Sequence, residues 1–435
     1  MDFATSSDPA VQAQLDRLAA LSPGADILGL SRITALLTRL GDPHLALPPV
    51  FHVAGTNGKG STCAFLRAAL EADGRRVHAY TSPHLVRFNE RIRLAGTLIE
   101  DEALASLLAR VLDRAEGIGA SFFEVTTAAA FLAFAETPAN ACVIEVGLGG
   151  RLDATNVLVD PAVCGIAQLG IDHQAFLGDT AVAIAAEKAG IAKRGRPLVT
   201  QAYDADVAAS VATVAAAAGA PVLAAGRDWS FELDDEVRYH DSGVDLALPR
   251  PALPGTHQAA NLALAVAMLR HQERIPISSA ALAEAARRAR WPARLQRLSA
   301  GPLVDHLPQG SSLWLDGGHN AAAADAVATT LAGERQERPL HLVVGMLANK
   351  DAPGFLAPLF PLAASLTAVP IPGHDHHAPA ALAQLAESHG VAARTAADVR
   401  DALAMIPRYR PSDVAILGSL YLAGRVLESN GDIPD

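Results

Sequence analysis

Within eight residues, from Gly55 to Thr62 (GTNGKGST), the chain carries three glycines, one lysine and three hydroxyl side chains. Glycines let backbone N–H groups approach phosphate oxygens. A helix beginning at such a turn adds a partial positive charge at its N-terminus. Lys59 would reach the terminal phosphates of a nucleotide, and Ser61 or Thr62 could face a bound Mg²⁺. The spacing departs from the commonest phosphate loop. Only Thr56 and Asn57 separate Gly55 from Gly58, and Gly60 stands directly after Lys59. A plain turn would leave the lysine and the hydroxyls unexplained.

Other chemistry-bearing residues follow short apolar runs in the same way. Glu145 is the one charge in the apolar run Ala141–Val146, which leads into GLGGRLD (147–153). A carboxylate there, beside a phosphate cradle, suits Mg²⁺, although an ion pair with Arg151 would also account for it. Asp172-His173 comes after the run that starts at Val163, and neutral imidazole is a metal ligand. Thr81-Ser82-Pro83-His84 follows Val77–Tyr80, so Ser82 can present a hydroxyl to a metal. Further along, Asp316-Gly317-Gly318-His319-Asn320 is a glycine turn suited to a ribose or phosphate contact. Arg294 lies just past a Trp291-Pro292 break. Lys188, at the end of an apolar helical stretch, reads on its own as a snorkelling lysine. His374-Asp375-His376-His377 reads as a solvated loop.

These residues need a scaffold. Apolar strand-like runs (Val50–Ala54, Val77–Tyr80, Ala141–Val146, Val163–Gln168, Pro197–Thr200) alternate with helical segments (Asp101–Ala115, Ala128–Phe134, Thr180–Ala189). That alternation predicts a parallel sheet covered on both faces, and in open α/β sheets ligands lie beyond the C-terminal strand ends. The stretch from Val11 to Leu40 is expected to be helical. A small antiparallel excursion is expected over Trp229–Leu248, followed by helices at Asn261–Leu269 and Ala280–Arg290. A second alternation (Leu313–Leu315, Ala321–Leu331, Leu340–Val344, Ala380–Ser388, Val414–Leu417) predicts a smaller α/β domain, with the boundary near Leu298–Pro302.

Composition narrows the function classes. The chain has 435 residues, half of them hydrophobic, enough for two domains with proper cores. A formal net charge of -11 argues against a general nucleic-acid or anionic-membrane binder. Three cysteines, Cys63, Cys142 and Cys164, form no disulfide framework or metal-ligand spacing. The first ten residues carry no secretory pattern, and no apolar run reaches membrane-spanning length. A cytoplasmic setting is expected, with no nucleic-acid or membrane partner.

Six segments together resemble the bacterial dihydrofolate synthase/folylpolyglutamate synthase family of Mur-type, ATP-dependent amide ligases. They are GTNGKGS (55–61), TSPHLVRFNE (81–90), EVGLGGRLDATN (145–156), DHQAFLG (172–178), EKAGI (187–191) and LDGGHN (315–320). The resemblance implies a large Mur-ligase-type P-loop α/β domain over 1–298 and a Rossmann-like α/β domain over 299–435, with a cleft that closes on ATP. It implies that Gly55, Thr56, Asn57, Gly58, Lys59, Gly60, Ser61, Asn261, Arg294 and Asp316 contact ATP. It makes Ser82, Glu145, His173 and Lys188 the Mg²⁺ ligands, Lys188 as a CO₂-derived carbamate, and gives Lys59, Lys188 and His173 catalytic roles. Ile27, Leu28, Gly29, Ser121, Phe122, Phe123, Glu124, Leu152, Asp153 and Ala154 would hold the pterin. Phe122 stands where a tyrosine can occur, and Gly318 where an alanine is frequent. The implied reaction joins L-glutamate to dihydropteroate and to reduced folates through an acyl phosphate, in a monomer, with room for a monovalent cation. A single folylpolyglutamate synthase activity, a cell-wall ligase and a non-catalytic nucleotide switch are the alternatives.

Overall fold

The computed structural model describes residues 4–21, 28–334 and 338–435. Two compact units divide the chain. The first runs to Ala252 and includes Gln258–Arg290, and the second comprises Leu253–His257 and Trp291–Pro434. The sequence boundary near 298–302 falls inside the second unit. The reason is local: Gln296–Leu298 forms a strand hydrogen-bonded antiparallel to Ser312–Leu315, so these residues belong to a sheet and not to a linker.

In the first unit the strands are β1 (Val50–Ala54), β2 (Val77–Tyr80), β3 (Ile92–Leu94), β4 (Thr97–Leu98), β5 (Ala141–Glu145), β6 (Val163–Ile166), β7 (Leu198–Thr200) and β8 (Val222–Ala224). They form one sheet ordered β4-β3-β2-β5-β1-β6-β7-β8. Every pairing from β2 through β8 is parallel, while β3 and β4 join antiparallel at one edge. The central strands are buried along their whole length. Burial on both faces explains why they read as unbroken apolar runs. β1 lies between β5 and β6, and the strand order reverses around it, which is where α/β sheets open a binding crevice.

Helices Pro9–Leu21, Ser31–Arg39, Asp101–Ala115 and Phe122–Glu136 contribute to one core that also includes Tyr80, Cys142 and Ile144 from the sheet. The single helical stretch expected over Val11–Leu40 is therefore corrected to two described helices, Pro9–Leu21 and Ser31–Arg39. A second core gathers Ala54, Val146 and Ile166 with Ala185, Ala189, Ile191, Ala192 and Val211. Each fully buried Leu or Phe of such cores contributes roughly 1.5–3 kcal/mol. Phe122–Glu136 begins earlier than the expected Ala128, because Ser121 and Glu124 form a reciprocal capping box.

The antiparallel excursion is present as β9 (Trp229–Leu233), β10 (Glu236–Asp241) and β11 (Val244–Pro249), ordered β11-β10-β9. The second unit holds β12 (Gln296–Leu298), β13 (Ser312–Leu315), β14 (Leu340–Val344), β15 (Ala363–Ala368), β16 (Ala393–Thr395) and β17 (Asp413–Leu417). Their order is β12-β13-β17-β14-β15-β16, parallel except at β12. Its own core is built from Leu342, Val344, Phe355, Leu366 and Ala415 among others. The fold is therefore a large, mainly parallel α/β unit followed by a smaller α/β unit, as the sequence pattern predicts.

Candidate functional site

The first unit builds its site at the C-terminal ends of four neighbouring strands. Beyond β1, the helix Lys59–Ala72 starts straight out of the glycine turn. Its first N–H groups have no intrahelical acceptor and are available to an anion. Gly58 holds φ at 82°, and a Cβ added there would come within 2.4 Å of the Asn261 side-chain oxygen. Asn261 is buried and accepts from Gln201 Nε2 at 3.4 Å while donating to Gln258 Oε1 at 3.1 Å. The expected nucleotide contacts Gly58 and Asn261 are thus neighbours, although 203 positions of chain number separate them (261 − 58).

The loop is braced from β6. Thr56 N and Asn57 N both donate to the Gln168 carbonyl, at 2.8 and 3.2 Å. Asn57 Nδ2 donates to Gln168 Oε1 at 2.9 Å, and Thr56 Oγ1 donates to the Gly170 carbonyl at 3.0 Å. Lys59 Nζ turns back on the loop and donates to the Gly55 and Thr56 carbonyls at 3.1 and 3.3 Å. Gly55, Gly60 and Ser61 complete the turn, Gly60 and Ser61 already inside the helix. Gln168 carries no motif signature, and its bracing role became visible only with the strand ends in place.

Beyond β2 and β5, Ser82 N lies 3.4 Å from Glu145 Oε2. Glu145 is buried at 4% exposure. Arg151, the alternative ion-pair partner of Glu145, bridges Glu187 at 2.8 Å instead. His173 takes a left-handed φ of 54° and starts the short helix Gln174–Leu177. Its side chain is half exposed and stands 3.9 Å from Asp172. Among the described residues no three His, Cys, Asp or Glu side chains surround one point. The expected metal set contains only two such residues, and its other members are the Ser82 hydroxyl and the Lys188 amine.

Lys188 departs from the snorkelling reading. It is buried at 5% exposure near the end of helix Ala181–Ala189. Burial, reinforced by the charge of Lys59 and opposed by Asp172 and Asp153, lowers its pKa to about 7. The close approach of the glycine loop explains the burial. A Cβ on Gly150 would sit 2.7–2.9 Å from the backbone of Glu187 and Lys188. A buried amine that is partly neutral at pH 7 is the form able to add CO₂. The residue therefore fits a carbamate.

The expected pterin residues fall in one neighbourhood, except that Ile27 lies outside the described residues. Leu28 and Gly29 are half-buried ahead of the helix Ser31–Arg39. Ser121 N donates to Glu124 Oε2 at 2.7 Å, and Arg32 Nε donates to the same oxygen at 2.9 Å. The other carboxylate oxygen, Glu124 Oε1, is buried without a hydrogen-bond partner among the described residues. Phe122 lies 5.3 Å from the Arg91 guanidinium, and Phe123 packs on Tyr80 and against Gly147. Leu152 is half-buried, Ala154 is buried, and Asp153 accepts from Leu148 N at 2.8 Å. The orphaned acceptor on Glu124 and the aromatic rings beside it suit a flat heterocycle with N–H donors. Arg32, absent from the sequence reading, holds Glu124 in place. A lone arginine just inside a helix gives no sequence signal for that role.

In the second unit Asp316 opens the turn beyond β13. Its two oxygens accept from Gly318 N at 2.6 Å and Leu295 N at 2.8 Å. The residues on either side of Arg294 are both left-handed, Ala293 at φ 55° and Leu295 at φ 44°. Non-glycine residues rarely adopt that region, and such strain concentrates at functional positions. The Asp316 carboxylate thus fixes the strained segment that carries Arg294. Asn320 caps the helix Ala321–Glu334 through Ala323 N at 3.0 Å.

Comparison with known proteins gives consistent matches. Residues 53–269 match the Mur ligase middle domain, and residues 302–419 match the Mur ligase glutamate ligase domain. The folylpolyglutamate synthase of Lacticaseibacillus casei is 34% identical over 415 residues, 92% of this chain and 93% of that protein. The structure of Escherichia coli FolC in complex with DHPP and ADP superposes with a TM-score of 0.87 at 30% identity, covering 97% of both chains. A bifunctional folylpolyglutamate synthase/dihydrofolate synthase with Mn, AMPPNP and L-glutamate bound superposes at 0.85 with 33% identity, over 98% of this chain and 99% of that one.

Proposed function

The chain belongs to the folylpolyglutamate and dihydrofolate synthases of the Mur ligase family, and from that membership we propose that it joins L-glutamate to dihydropteroate and to reduced folates at the expense of ATP. One feature carries the proposal. The ends of β1, β2 and β5 bear a phosphate loop with Lys59 and the Ser82–Glu145 pair, and the helix Ala181–Ala189 that follows β6 carries a buried, partly neutral Lys188.

A carboxylate is a poor electrophile, so its joining to an amine in water is slow and uphill. In the proposed reaction a carboxylate oxygen of the pteroate or folate substrate attacks the γ-phosphorus of ATP, and ADP leaves. The α-amino group of glutamate then attacks the acyl carbon, and phosphate departs with that oxygen. Lys59 and the helix N-terminus behind it lessen the repulsion between the two anions in the first step. Gly55, Thr56, Asn57, Gly58, Gly60 and Ser61 hold the phosphates, and Asn261, Arg294 and Asp316 hold the rest of the nucleotide. Ser82 and Glu145 would hold one Mg²⁺, and His173 and carbamylated Lys188 a second. Bound there, the metal would neutralise phosphate charge, an effect typically worth several kcal/mol. Glu124 and Asp153 accept from the pterin, with Phe122 and Phe123 supplying the apolar wall.

The first unit is thus assigned the catalytic, ATP-binding role, and the second a nucleotide- and glutamate-side role. No described helix is long and apolar enough to cross a membrane. Three buried free thiols support a reducing, cytoplasmic setting, and the reading takes the chain as a monomer. The test is direct. Dihydropteroate or tetrahydrofolate is supplied with glutamate, ATP and Mg²⁺, and product masses are read. The expected products carry one added glutamate from either acceptor, with further additions on the folate. Turnover of cell-wall precursors in place of both acceptors, or ATP hydrolysis indifferent to them, contradicts the proposal.

A further inference from the structure

His52 lies on β1, fully buried, and takes no part in the mechanism above. Its Nε2 stands 2.8 Å from Thr155 Oγ1. The same hydroxyl stands 2.5 Å from Asp153 Oδ1. Thr155 is itself fully buried and Asp153 is 2% exposed. A threonine hydroxyl has one proton, and a carboxylate can only accept, so that proton points to Asp153. The hydroxyl oxygen must then accept from His52 Nε2–H. This fixes the tautomer and leaves His52 Nδ1 bare. In agreement, Nδ1 is buried without a hydrogen-bond partner among the described residues.

Burial, with a smaller contribution from Lys193, holds the His52 pKa down at about 3, so the ring stays neutral and the relay carries no charge of its own. At the other end Asp153 receives Leu148 N on Oδ2 at 2.8 Å and Thr155 N on Oδ1 at 3.0 Å. Burial raises the Asp153 pKa, and the bonds from Thr155 and Leu148 oppose that rise. A neutral, buried histidine with an orphaned nitrogen is a costly core residue. An apolar side chain would fill the same place on β1 without that penalty. Directional support of the carboxylate accounts for it.

We propose that His52, acting through Thr155, is a positioning residue that holds the Asp153 carboxylate as the hydrogen-bond acceptor for the heterocycle of the pteroate or folate substrate. This rests on the reading of Asp153 as a pterin contact. The relay determines how tightly the acceptor substrate binds, and it leaves ATP binding untouched.

Steady-state kinetics and dihydropteroate titrations of His52→Leu, His52→Gln, Thr155→Val and Asp153→Asn test it. Loss of the relay is expected to raise the dihydropteroate KM and Kd about tenfold in His52→Leu and Thr155→Val, with the ATP KM within about twofold of wild type. His52→Gln, whose amide N–H can replace Nε2–H, restores most of the affinity. The His52→Leu/Thr155→Val double variant is no worse than either single one, because both cut the same relay. Thr155→Val is nearly isosteric and serves if His52→Leu fails to fold. A weakened Asp153→Asn beside unaffected Thr155→Val overturns the relay alone. An Asp153→Asn with unchanged dihydropteroate affinity overturns the reading of Asp153 and the relay with it. Equal rises in both KM values, unrelieved by His52→Gln, reduce His52 to a core residue and also overturn the proposal.

Discussion

Lys188 shows most clearly how environment makes a side chain reactive. Its sequence context, an apolar helix end, predicts an ordinary solvent-seeking amine. Its burial comes from the Gly147–Asp153 loop, whose Gly150 admits the Lys188 backbone at a distance no Cβ would allow. That contact joins segments far apart in sequence, so no local pattern announces it. The consequence for pH follows from the sign of the shift. The folded-state pKa, about 7, lies below the usual range of a lysine, so the amine is protonated below pH 7 and neutral above it. Only the neutral amine adds CO₂. Between pH 8 and pH 6 the neutral fraction therefore falls about tenfold. With ¹³C-labelled bicarbonate, the wild type is expected to show a carbamate carbon resonance that weakens in step with kcat over that interval. Lys188→Ala should lack the resonance, lose activity by about 10²-fold or more, and recover part of it with added short carboxylates. A fully active Lys188→Ala, or a resonance indifferent to pH, contradicts the role given to this residue.

Among the elements, the strand-turn-helix units were the most legible. β1, β2, β5 and β6 are short apolar runs ended by glycine, serine or acidic turns. Strands buried on both faces leave that pattern in any sequence. The helix Asp101–Ala115 was equally readable, with acidic residues in its first turn and apolar positions on one face. The edge strands β3 and β4 were not. They are short, include Arg93 and Thr97, and are held by antiparallel pairing, β3 to β2 and β4 to β3, that no periodicity records. The helix Ala205–Ala218 escaped for the opposite reason, because its alanines weaken the contrast between its faces. The β1 turn carries its own prediction. At Gly58 an L side chain would adopt an unfavourable φ and press on Asn261. Gly58→Ala should keep the fold, with a left-handed cost of about 1–2 kcal/mol, yet weaken ATP binding about tenfold or more. Calorimetric titration with a non-hydrolysable ATP analogue reads this, and an unchanged Kd contradicts the cradle.

At the scale of the whole molecule, the two α/β units were legible because each repeats the alternation of apolar strand and helix. Their boundary was less so. The expected boundary near Leu298–Pro302 lies past the Trp291-Pro292 break, whereas the second unit already takes in Trp291 and pairing of β12 with β13 gives it Gln296–Leu298. Arg294 and Asp316 were picked out by motif position. The left-handed residues flanking Arg294, and the Asp316 bond to Leu295 N, could not be read from the chain. What unites both units in one account is activation of a substrate carboxylate as an acyl phosphate. The most direct measurement follows one oxygen atom. Dihydropteroate labelled with ¹⁸O in its carboxylate is turned over with ATP, glutamate and Mg²⁺, and the released inorganic phosphate is analysed by mass. The account predicts one labelled oxygen in the phosphate for each amide formed and none in ADP. Amide formation with unlabelled phosphate, or with AMP as the nucleotide product, contradicts it.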